Sequence, residues 1–144
     1  MRTDFFEKFA AEFSRRRLDL AARRFNYPSA FYLGGATKVY RTQAELGAAL
    51  DAYHARLNLF DYSRTRAKVV CMTPKRGDKQ IVWVDWCHFD GSGDEIERTT
   101  VKYFCKNAHE GSFKIQLAEY IDPPCIPVSD DADPEHSHTT LLLH

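Results

Sequence analysis

The chain opens on apolar residues at helical spacing. Phe5, Phe6, Phe9, Ala10 and Phe13 recur with the 3.6-residue period, Thr3 and Asp4 are able to cap the segment, and Glu7 is placed to close a capping box on Asp4. The pattern predicts a helix that docks by its phenylalanines. A shorter helical stretch follows through Leu18, Leu20, Ala21 and Ala22, with Arg15, Arg16, Arg17, Arg23 and Arg24 as a solvated face, and it ends before Pro28. Ser29 to Leu33 and Lys38 to Tyr40, joined at Gly34-Gly35, read as a hairpin. Thr42-Gln43-Ala44-Glu45 is then a capping box ahead of the stripe Leu46, Leu50, Tyr53, Leu57 and Phe60, which marks the third and clearest helix.

From Ser63 onward the period changes to two. Arg66 to Met72, Lys79 to Phe89, Glu95 to Asn107 and Ser112 to Asp122 predict a four-strand meander, with Gly-containing turns at Lys75-Arg76-Gly77-Asp78, Asp90-Gly91-Ser92-Gly93-Asp94 and His109-Glu110-Gly111. Asp122-Pro123-Pro124 stops the last strand. The fold class is therefore α+β: three N-terminal helices and a mostly antiparallel sheet. Residues 1–122 form the domain, and 123–144 form a Pro-rich, then acidic, tail that wanders or lies along the surface.

Counting back from the turns pairs the long strands. Partners whose numbers sum to about 184 across the Gly91 turn and about 219 across the Gly111 turn set Val84 beside Thr100, and Thr100 beside Glu119. On this register Trp86, His88, Arg98, Thr100, Lys102 and Glu119 share the helix-facing wall with Phe104, Phe113, Ile115 and Leu117. That is how a ligand pocket is lined, mostly apolar with a few convergent polar groups. The reverse face then carries Trp83, Tyr103, Gln116 and Tyr120, a candidate surface for pairing two copies of the chain. A slip of one residue at either turn would exchange the faces of the strand beyond it.

Several chemistries fit that wall. Glu119 can be a general base with its pKa raised by burial, or the structural partner of Lys102. His88 beside Trp86 can hold and protonate a flat substrate, or sit at the rim satisfied by water. Arg98 and Lys102 can take a carboxylate or phosphate, unless Arg98 snorkels to solvent. His54 lies at the edge of the third helix's apolar stripe, either as an ordinary half-buried histidine or pointing into the pocket.

Composition narrows the classes. The 144 residues suit one domain, and the 20 basic and 20 acidic residues cancel, so broad phosphate neutralisation on nucleic acid has no support. No apolar run approaches the roughly 20 residues of a bilayer span, and no secretion signal precedes the first helix, which makes a cytoplasmic protein the expectation. Cys71, Cys87 and Cys105 fall on separate strands and are expected to be reduced fillers. Cys87-His88 and the tail residues His136, His138 and His144 lack the paired spacing of a zinc site, and neither a metal nor a cofactor is expected.

This element order resembles the nuclear transport factor 2-like superfamily, the cystatin-like α+β cone that includes SnoaL-like cyclases, ketosteroid isomerase and scytalone dehydratase. The cues are Tyr27-Pro28-Ser29-Ala30-Phe31-Tyr32, Thr42-Gln43-Ala44-Glu45-Leu46 and Gly111-Ser112-Phe113-Lys114-Ile115, within residues 4–122. The resemblance implies a curved, mostly antiparallel sheet wrapped on the three N-terminal helices, a pocket between them, with Tyr32 near the position of the isomerase's general base, and a homodimer formed through the sheet. The isomerase's own groups are not retained: Tyr32 or Leu33, Lys102, and Phe9 or Phe13 stand where it has a carboxylate, an aspartate and a tyrosine. The expected function is a small-molecule-binding protein for a partly hydrophobic ligand that can carry an anionic group. The alternatives are a dehydratase, isomerase or cyclase using acid-base catalysis through Glu119 and His88, and a non-catalytic protein-interaction module.

Overall fold

The first helix, α1 (Arg2–Ser14), starts two residues earlier than its capping residues suggest, so Asp4 sits in the first turn, where its charge favours the helix N-terminus. Phe6, Phe9, Ala10 and Phe13 are all buried, and Phe6 is fully so. Each phenylalanine contributes roughly 1.5–3 kcal/mol by leaving water. Arg16, at φ +59°, turns the chain into α2 (Leu18–Ala22). A two-pronged pair from Arg24 Nε and Nη2 to Glu12 Oε1 and Oε2, both at 2.7 Å, ties the end of α2 back onto α1.

Strand β1 (Phe25–Leu33) begins four residues before Ser29, and its hairpin partner β2 spans Ala36–Tyr40. Helix α3 (Gln43–Asn58) has the predicted cap: Thr42 Oγ1 accepts from Glu45 N–H at 3.1 Å, while Glu45 Oε1 accepts from Arg41 N–H at 2.7 Å. Thr42→Ala is expected to cost about 1 kcal/mol, read as a lower urea midpoint at unchanged slope. Asp61, also at φ +59°, leads into β3 (Tyr62–Met72), followed by β4 (Lys79–Asp90), β5 (Glu95–Asn107) and β6 (Phe113–Asp122). These boundaries come from a computed structural model that describes residues 2–107 and 112–122. The expected turn at His109-Glu110-Gly111 and the tail from 123 onward lie outside the described residues.

The strands form one curved, unclosed sheet in the order β2-β1-β6-β5-β4-β3. All neighbours are antiparallel except β1 and β6, which run parallel. The α+β cone expected from the sequence is the fold observed. Its core fills the space between the sheet's inner face and the helices, where Leu46, Leu50, Tyr53 and Leu57 of α3 join the α1 phenylalanines.

The register departs from the turn-derived one, and the departure moves the site. Near the turn the count is right, with Phe89 opposite Glu95, but a bulge follows, and beyond it His88 faces Glu97, Trp86 faces Thr99 and Val84 faces Val101. Ile96 and Glu97 are consecutive and both buried, as an inserted residue allows. The odd residues of β5 therefore look inward, and the even ones, Arg98, Thr100, Lys102 and Phe104, look outward. A second shift separates Cys105 opposite Ile115 from Phe104 opposite Leu117. It leaves Phe113 and Ile115 on the inner side but turns Ala118 and Tyr120 inward as well, putting Leu117 and Glu119 outside.

Candidate functional site

On the observed register, Glu97, Tyr53, His88, Thr65 and Tyr62 form one hydrogen-bonded run inside the cone. His88, on the inner face of β4, is 3% exposed. Its Nε2 lies 2.9 Å from the Tyr53 hydroxyl of α3, and its Nδ1 lies 2.7 Å from Thr65 Oγ1 of β3. Tyr53 in turn donates a short hydrogen bond to Glu97 Oε1. At the other end Tyr62 Oη is 2.5 Å from Thr65 Oγ1, and Thr65 N–H donates to Ser14 Oγ at 2.8 Å, reaching the last turn of α1. Glu97 is 1% exposed, and its Oε2 has no hydrogen-bond partner among the described residues.

Burial sets the charges of this run. It pushes the Glu97 carboxyl up from 4.5 to about 7, with the Tyr53 hydroxyl pulling the other way. Burial also presses His88 down from 6.5 to about 3, helped by His54. The 3.9 Å separation of His88 Nε2 and Glu97 Oε1 is thus a contact between a neutral imidazole and a half-protonated acid, not a salt bridge. Tyr53 is raised well above 10 by burial and by Glu97, so its phenol keeps its proton.

A neutral His88 has one N–H, and the hydrogen bonds admit two consistent directions. With Glu97 ionised, Tyr62 donates to Thr65, Thr65 to His88 Nδ1, His88 Nε2–H to Tyr53, and Tyr53 to Glu97. With Glu97 protonated on Oε1 the acid donates to Tyr53, Tyr53 to His88 Nε2, and His88 Nδ1–H to Thr65. Every heavy atom stays in place while each proton crosses one hydrogen bond.

Beside the run lies a cavity walled by Phe9, Phe13, Leu50, Tyr53, Trp86, His88, Thr99, Tyr103 and Tyr120. The total unoccupied space, mouth included, is about 440 Å³, but only about 40 Å³ is open to the centre of a water-sized sphere. The smaller figure governs what enters without side-chain movement, and it corresponds to a few water molecules. Trp86 Nε1–H donates to the Tyr103 hydroxyl at 2.9 Å, which uses the indole's one donor. Among the described residues, no lysine or arginine lines the space.

A family description, NTF2-like protein (DUF6841), matches residues 2–119. The chain belongs to this NTF2-like family. No curated protein sequence matches it significantly. Solved NTF2-like relatives share the fold at low identity. An NTF2-like protein with a cystatin-like fold from Novosphingobium aromaticivorans superposes with a TM-score of 0.63 at 9% identity, covering 94% of this chain and 84% of its own. A domain of unknown function with a cystatin-like fold from Nostoc punctiforme gives 0.65 at 10%, covering 95% and 88%. ActVI-ORFA of Streptomyces coelicolor gives 0.61 at 11%, covering 81% and 88%.

In this NTF2-like protein the expected wall divides. His88 and Trp86 line the interior as expected from the sequence. His54 is buried against Phe13 and Tyr62, with its Nδ1 3.3 Å from Asn58 Nδ2, and burial lowers its pKa. It is not a wall of the cavity. Arg98, Thr100, Lys102, Phe104, Leu117 and Glu119 lie on the outer face, as does Tyr32, which is level with Glu119. Lys102 sits over the rings of Trp83, at 5.5 Å, and Phe104, at 4.9 Å, and 3.9 Å from Glu119 Oε1. Glu119's side chain is 44% exposed, so it lacks the desolvation a buried general base needs. Thr100 Oγ1 donates to Asp85 Oδ1 at 2.6 Å, and Arg98 pairs with Glu95 at 3.1 Å.

The expected sheet-pairing surface divides in the same way. Trp83 is on the outer face, but Tyr103, 3% exposed, and Tyr120 are walls of the interior, and Gln116 occupies the bulge of β6. Glu97 was missed because the bulge at Ile96 was missed. One signal was available. Along β5 the set Arg98, Lys102 and Lys106 repels burial, whereas Glu97, Thr99, Val101, Tyr103 and Cys105 carry a single charge among them.

Proposed function

We propose that this protein is a small-molecule-binding protein of acid-base type: it takes an uncharged, flat, partly apolar molecule into the cone and moves a proton on it. The observation that carries this is the Glu97 carboxyl, buried, held near pKa 7, and with one oxygen unbonded. Such a group accepts or releases a proton at neutral pH with little penalty either way, as general acid-base catalysis requires. Tyr53 and His88 are cavity walls and connect the carboxyl to the space where a substrate would lie. With Glu97 ionised, the Tyr53 oxygen would take the substrate's proton as its own proton passes to Glu97 Oε1, so that the pair acts as a base at the cavity wall. The absence of cations from the walls favours an uncharged ligand over the anionic one expected from Arg98 and Lys102, both of which face outward.

The reaction class is proton transfer next to a carbonyl or hydroxyl, as in an isomerisation or dehydration. The experiment is deuterium incorporation α to the carbonyl in a panel of small cyclic ketones in D₂O, followed by NMR. The expected outcome is incorporation above buffer that rises with pH around 7 and falls by about 10²–10⁴-fold in Glu97→Gln. Equal rates in the two proteins would refute the reading.

A further inference from the structure

The hydrogen-bonded run that ends on Glu97 has a second end, which the base at the cavity wall does not use. Tyr62 and Thr65 belong to β3, an edge strand of the sheet among the described residues, so the run leaves the cone at its rim. Glu97, Tyr53, His88 and Thr65 are buried, whereas Tyr62 is half-buried, as is Ser14 beside it. The Tyr62 hydroxyl has Thr65 Oγ1 at 2.5 Å on one side and Ser14 Oγ at 3.5 Å on the other. Neither Thr65 nor Tyr62 is a wall of the cavity. Phe13 is one, and its ring centroid lies 5.7 Å from Tyr53, 5.8 Å from His88 and 6.1 Å from Tyr62, so it screens the run along the cavity side.

Such a run carries a proton without moving a heavy atom. A hydronium ion gives a proton to Tyr62 Oη and is left as water. Tyr62's own proton then passes to Thr65 Oγ1, Thr65's to His88 Nδ1, the His88 Nε2–H to Tyr53, and Tyr53's to Glu97 Oε1. The run gains one proton, Glu97 is neutralised, and His88 exchanges one neutral tautomer for the other. Emptying is the same sequence reversed. The other carboxyl oxygen, Oε2, has no hydrogen-bond partner among the described residues, so their hydrogen bonds reach Glu97 through Oε1 and Tyr53.

We propose that Thr65 and Tyr62 are positioning residues of a proton relay that sets the charge of Glu97 from the rim of the cone, behind the cavity. The relay rests on the acid-base reading above for the use to which that proton is put. It adds a route by which the base stays in equilibrium with solvent while a ligand fills the cavity, since the path to Glu97 runs around the ligand.

A pH jump on the full-length protein tests this. Light-released acid takes the solution from about pH 8 to about pH 6, across the Glu97 pKa of about 7, and time-resolved infrared spectroscopy follows the C=O stretch of the new carboxylic acid, assigned by its absence in Glu97→Gln. Thr65→Val keeps the side chain's shape but relays no proton, and it is expected to slow the rise of that band by about tenfold or more. Tyr62→Phe should slow it too with the ring still in place, and Thr65→Ser, which restores a hydroxyl, should return the parent rate. A purely structural role for Thr65 predicts the opposite sign, because loosened packing admits water and speeds protonation. A rise in Thr65→Val as fast as the parent's or faster, or in Tyr62→Phe should Thr65→Val fail to fold, would overturn the relay in favour of proton entry through the cavity mouth, and would leave the base at the wall standing. Ketone deuteration that is unchanged in Glu97→Gln, alongside slowed protonation in Thr65→Val, would instead remove the base and keep the relay. No acid band at about pH 6 would overturn both.

Discussion

Replacing Glu97 with Gln is expected to tilt the pH dependence of stability by about 1.4 kcal/mol per pH unit between roughly pH 4.5 and 6.5. Two buried groups oppose each other in the parent protein. Glu97's folded pKa, about 7, is above its ordinary 4.5, so its contribution is complete below 4.5 and is lost as pH rises through 7. His88's folded pKa, about 3, is below its ordinary 6.5, so its contribution is complete above 6.5 and is lost as pH falls toward 3. Between the two ordinary values the unfolded chain holds its proton on His88 and the folded chain holds it on Glu97. The proton counts match, and the site's contribution is level. Glu97→Gln removes one side of that balance and leaves the acid-side loss of His88, about 3 kcal/mol across the window. Surface carboxylates act alike in both proteins, so the measurement is the difference between their urea-derived stabilities from pH 4.5 to 6.5. Parallel curves would show that Glu97 is not the group holding the proton.

Trp86→Ala is expected to cost about 3–5 kcal/mol, roughly a fifth or more of the stability of an ordinary domain. Trp86 is 7% exposed, packs edge to face on Phe9 with ring centroids 5.0 Å apart, and donates to the Tyr103 hydroxyl. Its removal strands that hydroxyl and opens space continuous with the existing cavity, so the surroundings have little to collapse onto. The thermal midpoint should fall by roughly 10 °C or more. Added indole, which restores both the ring and the N–H donor, should recover part of the loss through binding to the folded state alone. A loss under about 1 kcal/mol, or no response to indole, would show that Trp86 is not a structural wall of the cavity.

The helices, the hairpin and the meander are legible from the chain because they rest on local signals, whereas the parallel pairing of β1 with β6 has none. Thr42 and Glu45 state where α3 begins, and the phenylalanines of α1 state which side it buries. Facing was less legible, because it depends on a parity that one inserted residue reverses. The turn at Asp90 to Asp94 is where the count begins, and there it holds, with Phe89 opposite Glu95. Ile96 breaks it two residues later, and its apolar side chain gives no local sign of a bulge. The cations of β5 did carry the information, since Arg98, Lys102 and Lys106 share one side and burial of all three would leave three charges to be paired. The run around His88 alone draws on α3, β3, β4 and β5. Tyr53, Thr65 and Glu97 are each unremarkable alone, and only the packed cone brings them to His88.

The sheet does not close on itself, and among the described residues that leaves two edge strands, β2 and β3. Rims of this kind are where chains stack into fibres. On one side the hazard is small, since β2 is only 5 residues long. On the other, β3 runs for 11, ample for a second molecule to latch on, yet a head-on approach of two such rims would crowd Arg64, Arg66 and Lys68 against the same three cations. The like charges on that longer rim thus keep neighbouring molecules apart, and a chain that had exchanged them for threonine or valine would fold as before while acquiring a template for uncontrolled growth.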